Sequence, residues 1–454
     1  MNSRRFCFTL ALFAMTSASI PVRAADAPPI ARAATDPRIA ALAGAVSAAD
    51  LRALDTKLVS FGSRNLFSDK TSTGTRGVYA ARAWIRSQFE AAAEKAGGRM
   101  KVSYDTYVQP KTPRTPRAVE VSSVIAVLKG DDPGGRTYVM SSHYDSRNSD
   151  GNDAVLDSPG ADDNGSGTVA VIEAAKVMAA TQFHGTIVFA CFDGEEQGLF
   201  GSDHYAKTLK KAGVDVEGNI NNDIIGASVG HNGERAPDTA RLFSESLPVD
   251  AKVRVVNALG SENDSPSREL ARFVKTTSEQ YVPPMRAELI YRADRFLRGG
   301  DQESFQAQGF PAVRFVEKHE NFDHQHQNVR VENGIQYGDL LRYVDFDYVA
   351  RVTKMNVASL ASLALGPKAP QTAQMLTKTL GYDTTLRWKA VPHATSYELV
   401  WRETTSPVWQ FSHDAGNVTQ ATANVSKDDY IIGVRAVDAE GHRSPAAYPT
   451  PVRE

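Results

Sequence analysis

The sequence predicts an α/β protein with a mixed, mainly parallel sheet sandwiched by helices, followed by a small C-terminal β-sandwich. Three observations carry this. Over residues 74–365, short apolar runs alternate with segments of helical periodicity. Strands that alternate with helices need crossover connections, which give parallel neighbours and helices on both faces. Gly366–Thr372 then interrupts the pattern with Pro, Lys and Gln, and residues 373–454 change to a period of two. That last stretch is rich in Val, Ile and Tyr and holds Trp388, Trp401 and Trp409, three of the chain's four tryptophans, as short half-buried strands require.

The elements follow in order. Residues 1–24 carry Arg4 and Arg5, an apolar run from Phe6 to Met15, and Val22-Arg23-Ala24 before Ala25. This is the order of a secretory signal peptide, and the run is short of the ~20 residues that span a bilayer. Phe6-Cys7 fits a twin-arginine signal poorly, so the general export route is expected and the mature chain should be periplasmic or secreted. No other segment is apolar enough to cross a membrane. Residues 25–60 are Ala-rich and helical in tendency. Helices are expected over Gly77–Ala96, Gly165–Ala180, Leu199–Ala212 and Val344–Leu365, and strands over Val124–Leu128, Tyr138–Met140, Ile187–Phe192, Asn219–Ile225, Val253–Ala258 and Ala312–Val316. Residues 227–250 and 261–300 read as loops. The domains are then a leader 1–24, a main domain 25–366, a linker 367–372 and a sandwich 373–454.

Composition narrows the function. Of 454 residues, 42% are hydrophobic and 23% charged, which excludes wholesale disorder and fibrous repeats. Lys and Arg number 51 against 53 Asp and Glu, a balance that argues against a dedicated nucleic-acid binder. Removing the leader takes three arginines and leaves 48 basic against 53 acidic residues, a net −5. It also takes Cys7, so Cys191 has no partner for a disulfide. Within its apolar run, Cys191 reads as inert core. Gly165-Ser166-Gly167 is not a hydrolase elbow, and no phosphate-binding glycine loop is evident.

In an open α/β sheet, ligands bind at the carboxyl ends of the strands. Three of the expected strands end there in metal-type donors: one delivers His143 and Asp145, the next Asp193, Glu195 and Glu196, the third Asp223. Asp162 and Asp163 open a helix, where acids are common as caps. Each residue alone has an ordinary structural role available, but together they form a His-and-carboxylate set without a usable thiolate. Such a set suits zinc, with manganese or cobalt as substitutes, and rules out sulfur-rich structural zinc. If Glu195 and Glu196 lie on an extended segment, they point to opposite sides. One can then bind metal while the other serves a metal-activated water as general base.

At these residues the chain resembles a known family. His143-Tyr144-Asp145-Ser146, Pro159-Gly160-Ala161-Asp162-Asp163-Asn164-Gly165-Ser166-Gly167 and Gly194-Glu195-Glu196-Gln197-Gly198-Leu199-Phe200-Gly201-Ser202 are similar to the motifs of metallopeptidase family twenty-eight, over about Val124–Val344. Leucyl aminopeptidases, glutamate carboxypeptidases and one-zinc glutaminyl cyclases belong to it. The resemblance implies an eight-stranded mixed sheet between helices and a site of two zinc ions. It implies His143 as a ligand oriented by Asp145, Asp163 as the bridge, Glu195 as general base, and Glu196 and Asp223 as ligands. Ile224 stands where Met commonly follows that Asp. The fifth ligand is a His near the domain's end, where Asn321-Phe322-Asp323-His324-Gln325-His326 lacks the usual His-Thr. His326 is favoured over His324, with His319 third. Asp301, in a segment similar to the family's approach to its last inner strand, is expected to fix a loop.

The sandwich resembles a fibronectin type III domain through Leu386-Arg387-Trp388, Tyr397 with Trp401, and Tyr430–Ala436 followed by Gly441 and Ser444-Pro445. Its aromatic residues read as core, and it is a candidate for contact with a surface or polymer. His184, His204, His231, His393, His413 and His442 lack partners at ligand spacing and read as surface or packing residues. The function expected is an exported two-zinc exopeptidase acting on peptides, foremost an aminopeptidase. A carboxypeptidase or dipeptidase on the same site would use Arg292, Arg295 and Arg298 for a free carboxylate, and a non-catalytic binding protein is the remaining alternative.

Overall fold

The structure, a computed structural model, describes residues 29–30, 34–70, 74–132, 135–248 and 251–454; the expected leader and Cys7 lie outside them. Eight strands form one sheet: β1 (Met100–Gln109), β2 (Val119–Leu128), β3 (Thr137–His143), β4 (Thr186–Phe192), β5 (Val216–Asn222), β6 (Thr239–Ser244), β7 (Arg286–Ile290) and β8 (Ala312–Glu317). Their order across the sheet is β1-β2-β4-β3-β5-β8-β6-β7. The inner strands β4, β3, β5 and β8 run parallel, and the joins β1/β2, β2/β4 and β8/β6 are antiparallel. From β3 the chain moves to β4 on one side and then crosses to β5 on the other. That change of direction opens a crevice at the carboxyl end of β3.

Ten helices belong to the described residues: α1 (Pro37–Gly44), α2 (Ala48–Val59), α3 (Gly77–Glu94), α4 (Gly167–Met178), α5 (Glu195–Gly198), α6 (Phe200–Lys211), α7 (Val253–Leu259), α8 (Pro266–Tyr281), α9 (Gln302–Gln306) and α10 (Phe346–Leu365). They cover both faces of the sheet, as the alternation in β4 shows. Ile187, Phe189 and Cys191 join the larger core with α2, α3, α4, α8 and α10, while Val188, Ala190 and Phe192 join a second core under α6 and α9. Side chains of successive strand residues point to opposite faces, so a run that is apolar throughout serves both cores. Cys191 is wholly buried, and burial pushes its thiol up to about 12, in agreement with an inert core residue. No helix among the described residues is long and apolar enough to cross a membrane.

Three expectations need correction. Val253–Ala258 is not a strand but most of α7, a surface helix with no buried residue, closed by Gly260 at φ +60. Its apolar run has no neighbouring strand with which to pair. Residues 227–250 and 261–300 are not all loop, since the first contains β6 and the second α8 and β7. The start of α8 was written in the chain: Ser265 accepts from the Arg268 N–H and Pro266 occupies the first turn, a strong N-terminal signal. The stretch read as a linker is packed down. Arg136 Nη2 donates to the Gly366 carbonyl at 2.6 Å, and Lys368 pairs with Asp215 and Glu217 at 2.5 and 2.6 Å.

A hairpin of β9 (Arg330–Glu332) and β10 (Ile335–Tyr337) precedes α10. The C-terminal unit has β11 (Gln374–Leu376), β12 (Thr384–Arg387), β13 (Ser396–Glu403), β14 (Phe411–Gly416), β15 (Gln420–Ala423), β16 (Tyr430–Val437) and β17 (Thr450–Val452). They form a sheet β15-β12-β11-β17 and a sheet β14-β13-β16 around a shared core that includes Leu386, Trp388, Tyr397 and Trp401. This unit docks on α8 and its approach through buried charges: Arg402 reaches Asp264 at 2.7 Å, Arg272 Nε donates to the Pro407 carbonyl at 3.0 Å, and Trp409 Nε1 donates to Glu269 at 2.9 Å. His442 is not a bare surface residue either. Its Nε2 lies 2.9 Å from Asp36 and its Nδ1 2.8 Å from Asp438, and the Asp36 partner is too far away in sequence for spacing to reveal.

Candidate metal centre

The crevice beside β3 gathers the expected residues. His143 ends β3, Glu195 and Glu196 follow β4, and Asp223 follows β5. Asp163 comes from the turn Ala161–Ser166, where its backbone leaves helical geometry (φ −105, ψ 93). His326, at φ +53, comes from the irregular stretch between β8 and β9. Two groups of donor atoms result, one of His143, Glu195 and Asp223 and the other of Asp163, Glu196 and His326. Asp163 touches both: its Oδ1 is 3.4 Å from His143 Nε2 and its Oδ2 is 3.0 Å from His326 Nε2. Glu196 Oε2 lies 3.0 Å from the same His326 nitrogen, and Asp223 Oδ1 3.4 Å from His143 Nε2. Of the two histidines that competed for the fifth place, His326 joins the cluster. His324 stacks on Tyr343 with centroids 3.8 Å apart.

The paired glutamates are not on an extended segment. They occupy the first turn of α5, after Gly194 at φ +73, so a helical turn rather than strand alternation separates their roles. Asp145 holds that turn: it accepts from the Glu195 and Glu196 N–H groups at 3.1 and 3.2 Å, and its Oδ1 lies 3.4 Å from His143 Nδ1. One buried carboxylate thereby fixes both the imidazole and the helix start. The Asp163 turn is held in a similar way, with Asp339 accepting from the Asp162 and Asp163 N–H groups at 2.9 and 2.7 Å. Arg64 clamps the approach to it by donating to the carbonyls of Tyr144, Pro159 and Gly160.

The electrostatics of the site call for a cation. Although burial opposes protonation, Glu196 and Asp163 push His326 up to about 10, and Asp223 and Glu195 raise His143 well above the usual imidazole range. Burial, together with Asp223, Glu196 and Asp301 nearby, pushes the Glu195 carboxyl well above its ordinary value. Buried oxygens Glu196 Oε1 and Asp223 Oδ1 have no hydrogen-bond partner. Buried charges of one sign persist only when paired or bound to metal, and imidazole-plus-carboxylate donors without sulfur are what zinc accepts.

Two sets of residues depart from what the sequence suggested. Arg295 and Arg298 do not face an open cavity: both pair with Glu320, at 2.9 and 2.7 Å, as does Arg241 at 2.6 Å, while Arg292 lies over the Phe296 ring. Asp301 is wholly buried and pushed up to about 7, first by burial. Besides its place in the loop, it lies near enough to help raise Glu195. Sequence reasoning missed Asp339, which follows a hairpin without any signal. It also missed Arg314, whose signal was present as a lone charge inside the apolar run Ala312–Val316.

A parallel-centred α/β sheet with His and carboxylate donors collected at its strand ends is a fold and site suited to a zinc-dependent hydrolase. Residues 123–345 match the model of Peptidase family M28. A probable zinc metalloprotease of Leptosphaeria maculans is 44% identical over 93% of this chain and 99% of its own length, and one of Pyrenophora tritici-repentis is 43% identical over 92% and 87%. The chain belongs to Peptidase family M28. Solved structures share the fold: the LapA aminopeptidase of Legionella pneumophila (TM-score 0.51, 20% identity, 73% of this chain and 76% of that one) and a glutaminyl cyclase of Macrostomum lignano (TM-score 0.51, 14% identity, 73% and 94%).

Proposed function

We propose that this protein is an exported two-zinc aminopeptidase. One observation carries the reading: the two oxygens of Asp163 face separate donor groups, 3.4 Å from His143 and 3.0 Å from His326, with Glu195 beside them. His143 and Asp223 would hold one zinc, Glu196 and His326 the other, and Asp163 would join the two. Bound zinc supplies Lewis acidity toward a water and the scissile carbonyl. Glu195 takes the proton of the attacking water and delivers it to the departing amine, the paired work of a general base and acid. Asp145 keeps His143 and the Glu195 turn in place while this happens.

The end of the peptide that is recognised follows from charge. Of the arginines that could take a C-terminal carboxylate, Arg295 and Arg298 are engaged by Glu320 and Arg292 lies over Phe296, which favours the ammonium end of a peptide as the end held. Ser149 and Asn328 hydrogen-bond each other at 3.2 Å in both directions, tying two rim loops together, which supports cleavage near a chain end. The C-terminal unit, with seven strands in two facing sheets, fits a fibronectin type III-like module, and residues 1–24 fit an export signal. The test is a panel of aminoacyl chromogenic substrates, with N-blocked and C-amidated dipeptides compared. C-amidated dipeptides should be cleaved and N-blocked ones refused; chelator should abolish turnover, and Glu195→Gln should lower kcat about 10²–10⁴-fold with zinc retained. Cleavage of N-blocked dipeptides alone would overturn the aminopeptidase reading.

A further inference from the structure

Arg314 stands in the middle of β8 with a side chain that is wholly buried. Its Nη2 forms an ion pair with Asp223 Oδ2 at 2.8 Å outside hydrogen-bond geometry, while its Nη1 donates to Asp294 Oδ2 at 2.6 Å and to the Gly299 carbonyl at 2.7 Å. Asp294 is itself fixed, since it accepts from Gln302 Nε2 at 2.6 Å and from the Arg295 N–H at 2.6 Å. The guanidinium passes so close to Gly300 that a Cβ there would come within 2.6 Å of Nη1. One oxygen of Asp223 thus faces an arginine and the other, Oδ1, faces His143 Nε2 at 3.4 Å with no hydrogen-bond partner.

We infer that Arg314 is a positioning residue of the metal centre, reserving Asp223 Oδ2 for itself so that Asp223 offers a single oxygen to the zinc on the His143 side. The guanidinium suits this task, because its charge is permanent and spread over a rigid plane that can face two carboxylates at once. A positive charge at that oxygen also draws electron density away from the ligand, so the zinc keeps more of its Lewis acidity. Through Asp294 and the Gly299 carbonyl, the same side chain couples Asp223 to the segment 291–300 at the rim of the site. The inference rests on the two-zinc reading above.

The sign of the effect separates positioning from simple structural support. Removing Arg314 takes a cation away from a zinc ligand and frees Oδ2, so zinc should bind as tightly as before or more tightly while catalysis weakens. In Arg314→Met, kcat should fall about 10–100-fold, the range for residues that orient metal ligands, with zinc content and chelator-competition affinity not reduced. The visible spectrum of the cobalt-substituted protein should lose intensity as Asp223 offers both oxygens and the coordination number rises. Unchanged kcat and cobalt spectrum would overturn the inference, and so would a more than tenfold loss of zinc affinity, which marks a structural role only. Should Arg314→Met not fold, Asp294→Asn loosens the clamp from its far end and should shift kcat and spectrum in the same direction by about threefold; a wild-type result there overturns it equally. If the unaltered protein took up no zinc, the two-zinc reading would fall together with this inference. If the unaltered protein takes up two and Arg314→Met behaves identically, only the role of Arg314 falls.

Discussion

Two of the buried charge clusters among the described residues are built on opposite plans. At the junction with the C-terminal unit, Asp264 and Glu269 meet Arg272 and Arg402, acid for base, and a tryptophan N–H completes the set. At the metal centre, Asp145, Asp163, Glu195, Glu196, Asp223 and Asp301 converge on two imidazoles and Arg314. The junction is closed in charge without any guest. The centre is not, and its histidines are driven upward in compensation. Buried ion pairs specify an arrangement more than they stabilise it, so a balanced cluster marks a docking surface, while an acid excess held rigid by Asp145, Asp339 and Arg64 marks a place for cations.

That contrast can be broken first at the centre. His326→Ala should remove one of two bound zincs and lower activity at least 100-fold, whereas His324→Ala, which loses only a ring stacked on Tyr343, should change activity less than threefold. Zinc analysis alongside peptidase assays checks both. At the junction the order of effects should reverse. Arg402→Met leaves Asp264 with only the more distant Arg272 and should cost about 3 kcal/mol of stability by calorimetry, yet kcat should stay within twofold because no ligand is touched.

The smallest expected effect is a dependence on pH. Hydrogen bonds to Asp438 and Asp36 hold His442 above its ordinary 6.5, against a lesser effect of burial, and Glu440 and Arg38 complete its surroundings. The folded protein therefore binds this proton more tightly than the unfolded chain does. Its contribution is full below about pH 6.5 and is lost as pH rises through the raised value. His442→Gln should lower stability by about 2 kcal/mol at pH 5.5 and by progressively less above pH 7, read as the melting temperature against pH.

Much of this was legible in the residues. A strand ending in His143, a paired glutamate after the next, and an aspartate after a third placed the centre at one sheet edge, because parallel strands deliver their carboxyl ends together. The apolar runs of β4 and β8 betrayed strands buried on both faces. What stayed hidden depends on distance or on competing signals. The edge strands β1 and β7 are partly polar, and β7 is only 5 residues long. The short apolar-rich run of α7 could not declare its state without a neighbour. Asp339, Asp36 and the junction arginines act on partners brought close only by folding.

One consequence of the irregular stretch between β8 and β9 concerns time rather than geometry. His143, Glu196 and Asp223 have side chains only 1–4% exposed, while that of His326 is 34% exposed. It sits on left-handed backbone, where a residue with a Cβ persists only if its surroundings hold it. With ions bound, exchange would run through this door: the zinc on the His326 side would leave first and return first.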